Sequence, residues 1–474
     1  MPILEQQDSY LYQQVISLVR QMHSNGTLRP GEKLPSLRNL ATKLDISVPT
    51  VKQAYIELEH QGLIYARPKS GYFLKSSPAE SALPLKARLP SKPTAVSRQQ
   101  LIEQVFNFIH QPGYMAFGVA NPVAALPTTK ALNRAMRRVM SIAGDNMLHY
   151  GPMNGFEPLR RILAMRYLDF GMQLSPNDIV ITNGAQEAIN IALQCVAKPG
   201  DVIAVESPCY FGILELIENL GMLALEIPIC AEDGLCAADV RKAIDKHPVK
   251  ACVFSSNIAN PLGSLLADEE KQQIVALLES RAIPLIEDDV YGDLYFIGKR
   301  GTPAQRYSKK GLVLTCNSFS KTVAPGYRIG WVAAPGFSEK CAKIKRALSC
   351  SSSLANQWAL HEFIRGGEYD RYLNRLRQVL VTNKERMRSQ IQQHFTPDIR
   401  VTDPAGGAVL WLQLPKNIDS NEVFHRALQE KISISPGSLF SPSNRYQHCI
   451  RLSFGLPWSN EVEKGIKTLG EICR

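Results

Sequence analysis

The sequence predicts a protein in two parts, a small helical head carrying a β-hairpin and a large α/β domain built on a mostly parallel sheet. Three observations carry this. A chain of 474 residues exceeds what one ordinary core organises. Between Tyr10 and Leu74, segments with apolar residues at helical spacing are followed by two short apolar runs around a basic turn. From about Leu101 onward, strand-like runs such as 178–182, 201–205, 251–254, 284–287 and 311–316 alternate with helical stretches, the pattern of parallel strands covered by helices.

In the head, Leu11, Val15, Leu18, Val19 and Met22 mark a first helix, which Asn25-Gly26 ends. A turn-rich stretch, 28–36, leads to Ser36, placed to cap a second helix through Leu37, Leu40, Ala41 and Leu44. Ser47 caps a third, roughly 48–61, with Val51, Ala54, Tyr55 and Leu58 on one face and Thr50, Lys52 and Gln53 on or near the other. Two short helices joined by Asp45-Ile46 and followed by that third one suggest a helix-turn-helix, whose recognition helix enters the major groove by its N-terminal end. The runs 63–67 and 71–74 then make a wing. Arg67 and Lys69 at its tip reach phosphate or a narrow minor groove, and Gly71 permits close backbone approach.

The stretch from Tyr10 to Leu74 resembles the GntR-type winged helix-turn-helix, on the run Pro30-Gly31-Glu32-Lys33-Leu34-Pro35-Ser36-Leu37-Arg38-Asn39-Leu40-Ala41. That resemblance implies contacts to a double-stranded DNA operator from Ser36, Arg38, Thr50, Lys52 and the wing. The family usually has arginine just after the recognition-helix cap, where this chain has Val48 and Pro49, so guanine readout from that position is lost. Either Lys52 and Gln53 carry base recognition or an apolar contact to a thymine methyl substitutes. The expected head is 1–75, and a basic Pro/Ser-containing stretch, 76–98, reads as a solvated, semi-rigid linker to a domain at 99–474.

In the large domain, the run Ser318-Phe319-Ser320-Lys321 with Arg328 seven residues on puts an amine able to form a Schiff base beside donors for a phosphate monoester, which describes a pyridoxal 5'-phosphate (PLP) site. Other groups fall at strand ends. The backbone of Gly184, Ala185 and Gln186 opens a helix and can grip phosphate. Tyr210 lies just beyond a strand, and Asn260-Pro261-Leu262-Gly263 presents an amide on a fixed loop. The acidic pair Asp288-Asp289 ends an apolar strand with Tyr291 following, and Arg451 sits in an alternating strand near the C-terminus.

These partial motifs, in this order, resemble the type I aminotransferases, and an α/β PLP-dependent transferase fold type I (aminotransferase-like) is therefore expected. The resemblance implies that Lys321 carries PLP and that Tyr210 stacks on its ring. Asn260 and Tyr291 bond its 3'-oxygen, and Asp288 rather than Asp289 faces its ring nitrogen. Arg451 clamps a substrate carboxylate, and Tyr150 reaches the phosphate of a neighbouring subunit, which makes a homodimer. The segment 118–122 departs from the family pattern, so the amine ligand and turnover are not fixed.

A winged helix on an aminotransferase-like domain resembles the MocR subgroup of GntR regulators, which use PLP, and sometimes an amino compound bound to it, as a signal. The expectation is a PLP-dependent transcriptional regulator sensing PLP or an amine. The rivals are a working aminotransferase carrying a DNA-binding head and a large domain serving only as a dimerisation scaffold.

Bulk properties agree. Hydrophobic residues make up 45% and charged residues 20%, a globular composition without a run long enough to span a bilayer. Together with an acidic start, Met1 to Asp8, unlike a signal peptide, this places the expected protein in the cytoplasm with no membrane partner. Ten scattered cysteines lack any Cys-x-x-Cys pair, so free thiols are expected, with neither a disulfide framework nor a metal site. The formal net charge of +11 suits a polyanion.

Overall fold

A computed structural model describes residues 11–24, 27–28, 32–60, 63–67, 70–74, 82–87, 92–94, 103–105, 113–296, 298–443 and 445–474. The chain divides into two compact units, 1–81 with 381–394, and 82–380 with 395–474.

In the first unit, helices Leu11–Ser24, Leu37–Leu44 and Val48–His60 precede an antiparallel hairpin, Ile64–Arg67 with Gly71–Leu74. Local chemistry sets the helix starts. Ser36 Oγ accepts from the Asn39 N–H (3.2 Å), and Ser47 Oγ accepts from the Thr50 N–H (3.2 Å), each satisfying an orphan donor. Asp45, left-handed at φ 54°, turns the chain between the second and third helices. Val15, Val19, Leu40, Val51, Tyr55 and Leu58 meet in the core. Tyr55 packs edge-on to Tyr72 and donates its hydroxyl to the Pro35 carbonyl (2.9 Å), fixing the wing and the turn on the third helix.

The second unit is organised by a seven-stranded sheet. Its spatial order is Ile179–Thr182, Gly330–Ala333, Val313–Ser318, Leu285–Asp288, Val249–Phe254, Val202–Ser207 and Leu223–Pro228. Only Gly330–Ala333 runs against its neighbours. The buried faces of its strands explain their continuous apolar runs. A second sheet orders Arg400–Val401, Val409–Gln413, Cys449–Ser453 and Ser435–Pro436, all antiparallel. The strand carrying Arg451 reads as alternating in sequence, yet all five of its residues are buried. It is an interior strand covered on both faces.

Part of the expected linker is held by hydrogen bonds, although Ala82, Leu85, Lys86 and Lys92 remain exposed. Within the second unit, Ala82, Leu83, Leu85, Lys86 and Thr94 hydrogen-bond to residues of the sheets and helices, including a two-way backbone bridge between Thr94 and Ala224 on the edge strand Leu223–Pro228. The remaining linker residues lie outside those described. All ten cysteines are free, no group of metal-binding side chains occurs among the described residues, and no helix among them is long and apolar enough to cross a membrane.

Candidate cofactor site and DNA-facing head

Lys321 lies in the turn after strand Val313–Ser318, and its Nζ donates to the Ala120 carbonyl at 2.5 Å and stands 6.0 Å from the centre of the Tyr291 ring. Burial, then the positive charge of Arg451, pulls its pKa down to about 8, with Asp288 acting in the opposite sense. A lysine so placed holds a far larger neutral fraction near neutrality than an ordinary lysine, and the neutral amine is the form that attacks an aldehyde.

The phosphate side is built from glycine and arginine. Gly184, at φ 92°, caps helix Ala185–Val196, and a Cβ there would stand 2.6 Å from Arg328 Nη2. Arg328 Nη2 donates to the Asn183 carbonyl (2.8 Å), which sets the guanidinium against the helix N-terminus. Ser318 Oγ accepts from the Ser320 N–H (3.3 Å), while Ser320 Oγ is buried without a partner. The Gln186 side chain is used structurally, donating to the Gly212 carbonyl (2.6 Å), so only its backbone faces the loop's task.

The two adjacent acids separate. Asp289, fully buried, pairs closely with Arg300 and accepts from Asn257 Nδ2 (3.0 Å). Asp288 accepts only a long bond from the Val290 N–H (3.3 Å) and interacts electrostatically with Lys321; burial raises its pKa to about 6. Asp288 is thus the acid left open to the site, and Asp289 belongs to the scaffold.

Tyr210 packs on Phe211 (4.8 Å between centroids), in space that exists because residue 212 is glycine. Asn260 Oδ1 accepts from Arg451 Nη1 (3.2 Å), which turns the amide nitrogen the other way as a donor. Arg451, 2% exposed, also donates through Nη2 to the Gly118 carbonyl (2.7 Å) and to Ser435 Oγ (3.2 Å), over the Phe440 ring at 5.1 Å. Its Nε is buried and unpartnered, as is the Tyr291 hydroxyl.

These orphaned donors test the cofactor. Tyr291 Oη, Ser320 Oγ and Arg451 Nε are buried polar atoms awaiting acceptors, and such groups are costly to leave unsatisfied. A phenolic oxygen and a phosphate supply acceptors for Tyr291 and Ser320 beside the Lys321 amine, and the carboxylate of an amino acid supplies one for Arg451. The donor set fits pyridoxal 5'-phosphate.

Three features lay beyond the sequence reading. The carbonyls of Gly118 and Ala120, in the segment where the family pattern breaks, face Arg451 and Lys321. Glu187 fixes the Asn183 loop, accepting from the Asn183 N–H (2.5 Å), Lys345 Nζ (2.9 Å) and Ser349 Oγ (2.6 Å). Ser435 comes from a two-residue strand with no motif. Only the first had a sequence signal. Tyr150 does not join the others: it is 85% exposed, next to Leu148 at 81%.

In the head, Arg38, Lys52 and Gln53 are exposed, whereas the Thr50 hydroxyl is engaged with Ser47 Oγ (2.7 Å) in the cap. Ser36 is likewise a capping group. Val48 is 40% exposed at the N-terminus of the third helix. Gly71 is required by its φ of 105° and by Lys33, whose Cε would stand 3.2 Å from a Cβ. Lys69 and the side chain of Arg67 lie outside the described residues.

A winged helix-turn-helix head and a fold type I aminotransferase unit define the class. Residues 11–74 match the model for bacterial regulatory proteins of the gntR family, and 114–469 match aminotransferase class I and II. The chain is 35% identical to the uncharacterized HTH-type transcriptional regulator YdcR of Escherichia coli K12, over 98% of this chain and 99% of that protein. It is 33% identical to YjiR of the same organism, likewise described, over 97% and 98%. In fold, the crystal structure of Pyrococcus horikoshii kynurenine aminotransferase superposes with a TM-score of 0.73 at 23% identity, over 80% of this chain and 96% of that one. The chain belongs to the MocR-type GntR regulators, with a class I and II aminotransferase domain.

Proposed function

We propose that the protein is a cytoplasmic, homodimeric transcription factor that binds a double-stranded operator through its head and senses PLP, or an amine reacting with it, at Lys321. The observation that carries this is the half-buried Lys321 amine facing Asp288 beside three unpartnered donors, on the same chain as an exposed recognition helix. When bound, the cofactor supplies an aldehyde and an electron-withdrawing ring. Lys321 holds the aldehyde, the backbone of Gly184, Ala185 and Gln186 with Ser318, Ser320 and Arg328 holds the phosphate, and Asp288 holds a proton on the ring nitrogen. Tyr210 covers the ring face, Asn260 and Tyr291 donate to its phenolic oxygen, and Arg451 receives the carboxylate of an amino acid through its fork.

The exposed Tyr150 and Leu148 support a partner subunit covering that surface, with Tyr150 completing the neighbour's phosphate site. In the head, Arg38, Lys52 and Gln53 face DNA, Ser36 presents its backbone amide and Thr50 its hydroxyl to phosphate while capping, and Arg67, Lys69 and Gly71 serve from the wing. The exposed Val48 favours the apolar contact to a thymine methyl.

A second reading, amino-group transfer, is favoured by the joint presence of Lys321, Asp288 and Arg451. Mixing the purified protein with PLP and a panel of amino acids separates them. A lasting change in cofactor absorbance without keto acid supports the sensor; rapid keto-acid production supports the enzyme, and no spectral response to any amine or to PLP defeats both.

A further inference from the structure

Besides a two-stranded pair, the second unit holds a seven-stranded and a four-stranded sheet, and the cofactor site lies on both of these. Lys321 and Asp288 adjoin strands of the seven-stranded sheet, whereas Arg451 belongs to the four-stranded one. An amino acid held by Lys321's cofactor and by Arg451 therefore bridges the two.

Two pieces of the linker bridge the same pair. On the four-stranded side, the Val401 N–H donates to the Ala82 carbonyl (3.2 Å), Arg400 Nη1 to the Leu83 carbonyl (3.3 Å), and the Leu85 N–H to Gln413 Oε1 (2.9 Å). On the seven-stranded side, Lys86 Nζ donates to Asp239 Oδ2 (2.7 Å), and Thr94 exchanges backbone bonds with Ala224 at 2.9 and 3.0 Å. Gln413 is two residues from Trp411, which lies opposite Arg451 in the sheet register. Beneath residues 84–87 runs a cavity of about 340 Å³ lined by Pro208, Ile229 and Leu262 from one side and Trp411 and Cys449 from the other. The space between the sheets at this point is therefore not packed shut.

We infer that the docked pieces, 82–87 and 92–94, form a strap whose grip depends on how firmly the two sheets are held together, so that a ligand bridging Lys321 and Arg451 tightens it. Six hydrogen bonds offset by the entropy of ordering the chain leave docking with a small margin, which a ligand is able to shift. The consequence for the head is a matter of covalent reach. With Ala82 anchored, residues 75–81 are the leash, at most about 25 Å; undocked, 75–98 give at most about 80 Å. PLP alone, which has no group for Arg451, leaves the grip unchanged. This direction of signal rests on the sensor reading; the docking itself does not.

Hydrogen exchange on the full-length protein tests it, reading the Leu85 and Thr94 amides against that of Lys92. Docking predicts exchange of Leu85 and Thr94 at least about tenfold slower than Lys92, and Gln413→Ala releases Leu85 while leaving the fold's other amides protected. Saturation with the reduced phosphopyridoxyl-L-alanine adduct slows both a further several-fold, and PLP alone does not. Unprotected Leu85 and Thr94 amides overturn the strap. Adduct that binds, read from its absorbance on the protein, without changing their protection overturns the coupling alone. Adduct that does not bind defeats the sensor reading and the coupling with it, while the Gln413→Ala comparison still decides docking.

Discussion

The cofactor cleft and the recognition helix use opposite means. In the cleft the groups sit half or fully out of water and perturb one another, with burial and then Arg451 lowering Lys321 and burial raising Asp288. On the helix, Lys52 and Gln53 stand in solvent. What is prepared there is the scaffold, a Tyr55–Pro35 hydrogen bond and two serine caps that hold the helix in place. The cleft is preorganised by charge and burial, the helix by shape, so single substitutions should act all-or-none in the first and by degrees in the second.

The sharpest break is Lys321→Ala. It should abolish covalent capture of PLP, read by borohydride reduction and peptide mapping, while the head still folds and binds DNA. A label on any other lysine sinks the assignment of the site.

Next comes the acidic pair. Asp289→Asn removes one partner of a buried ion pair with Arg300 and should cost about 3–5 kcal/mol of stability, read by denaturant unfolding. Asp288→Asn should leave the fold intact and instead weaken PLP retention and shift its absorbance, because a neutral amide cannot keep the ring nitrogen protonated. The reverse pattern would exchange the two roles.

The rate of PLP capture should also carry the cleft's pKa values. Capture needs the neutral Lys321 amine, whose fraction grows as pH rises through about 8, where an unperturbed lysine would wait until above pH 10. Below about pH 6, protonation of Asp288 should weaken binding from the other side. A stopped-flow profile rising only above pH 10 would remove the claim that burial and Arg451 prepare the amine.

The same contrast explains what the sequence made legible. Motifs that are contiguous and end strands, such as Ser318 to Lys321 or Asn260 to Gly263, could be read because the fold brings strand ends together. The head's buried face could be read because helical spacing fixes it: Val51, Ala54, Tyr55 and Leu58 are all buried. Contacts made by single backbone carbonyls or isolated side chains could not. The break in the family pattern at 118–122 marks that segment without saying that Ala120's carbonyl meets Lys321, and nothing in local sequence announces that Lys345, well downstream, braces Glu187. Linker docking was hidden for a similar reason, since proline and serine there read as solvated chain while the partners, Gln413 and Ala224, lie far off in sequence.

A coupling measurement joins the two regions. If ligand at Lys321 changes operator affinity by some factor, the operator must change PLP or amine affinity by the same factor, about 5–150-fold for ordinary allosteric pairs. Titrations of free and operator-bound protein at fixed salt supply both numbers. Equal affinities for both ligands in the two states would separate the head from the site and favour the aminotransferase reading.

The smallest expected effect lies on the recognition helix. Residues 1–75 hold nine Lys/Arg against six Asp/Glu, so few phosphate contacts are available and each one is visible in the salt dependence. Lys52→Ala should lower affinity evenly across operator sequences and flatten the log–log salt slope by about 0.9 per protomer if Lys52 meets phosphate. If it meets a base edge, the slope holds nearly constant and one operator position loses about 1–3 kcal/mol of discrimination. Val48→Ser supplies the control: replacing an exposed apolar side chain should cost discrimination at a thymine and leave the salt slope untouched, because no counterion is released by a methyl contact. A Val48→Ser protein that binds all operator variants as the parent does would leave Lys52 and Gln53 as the readers of sequence.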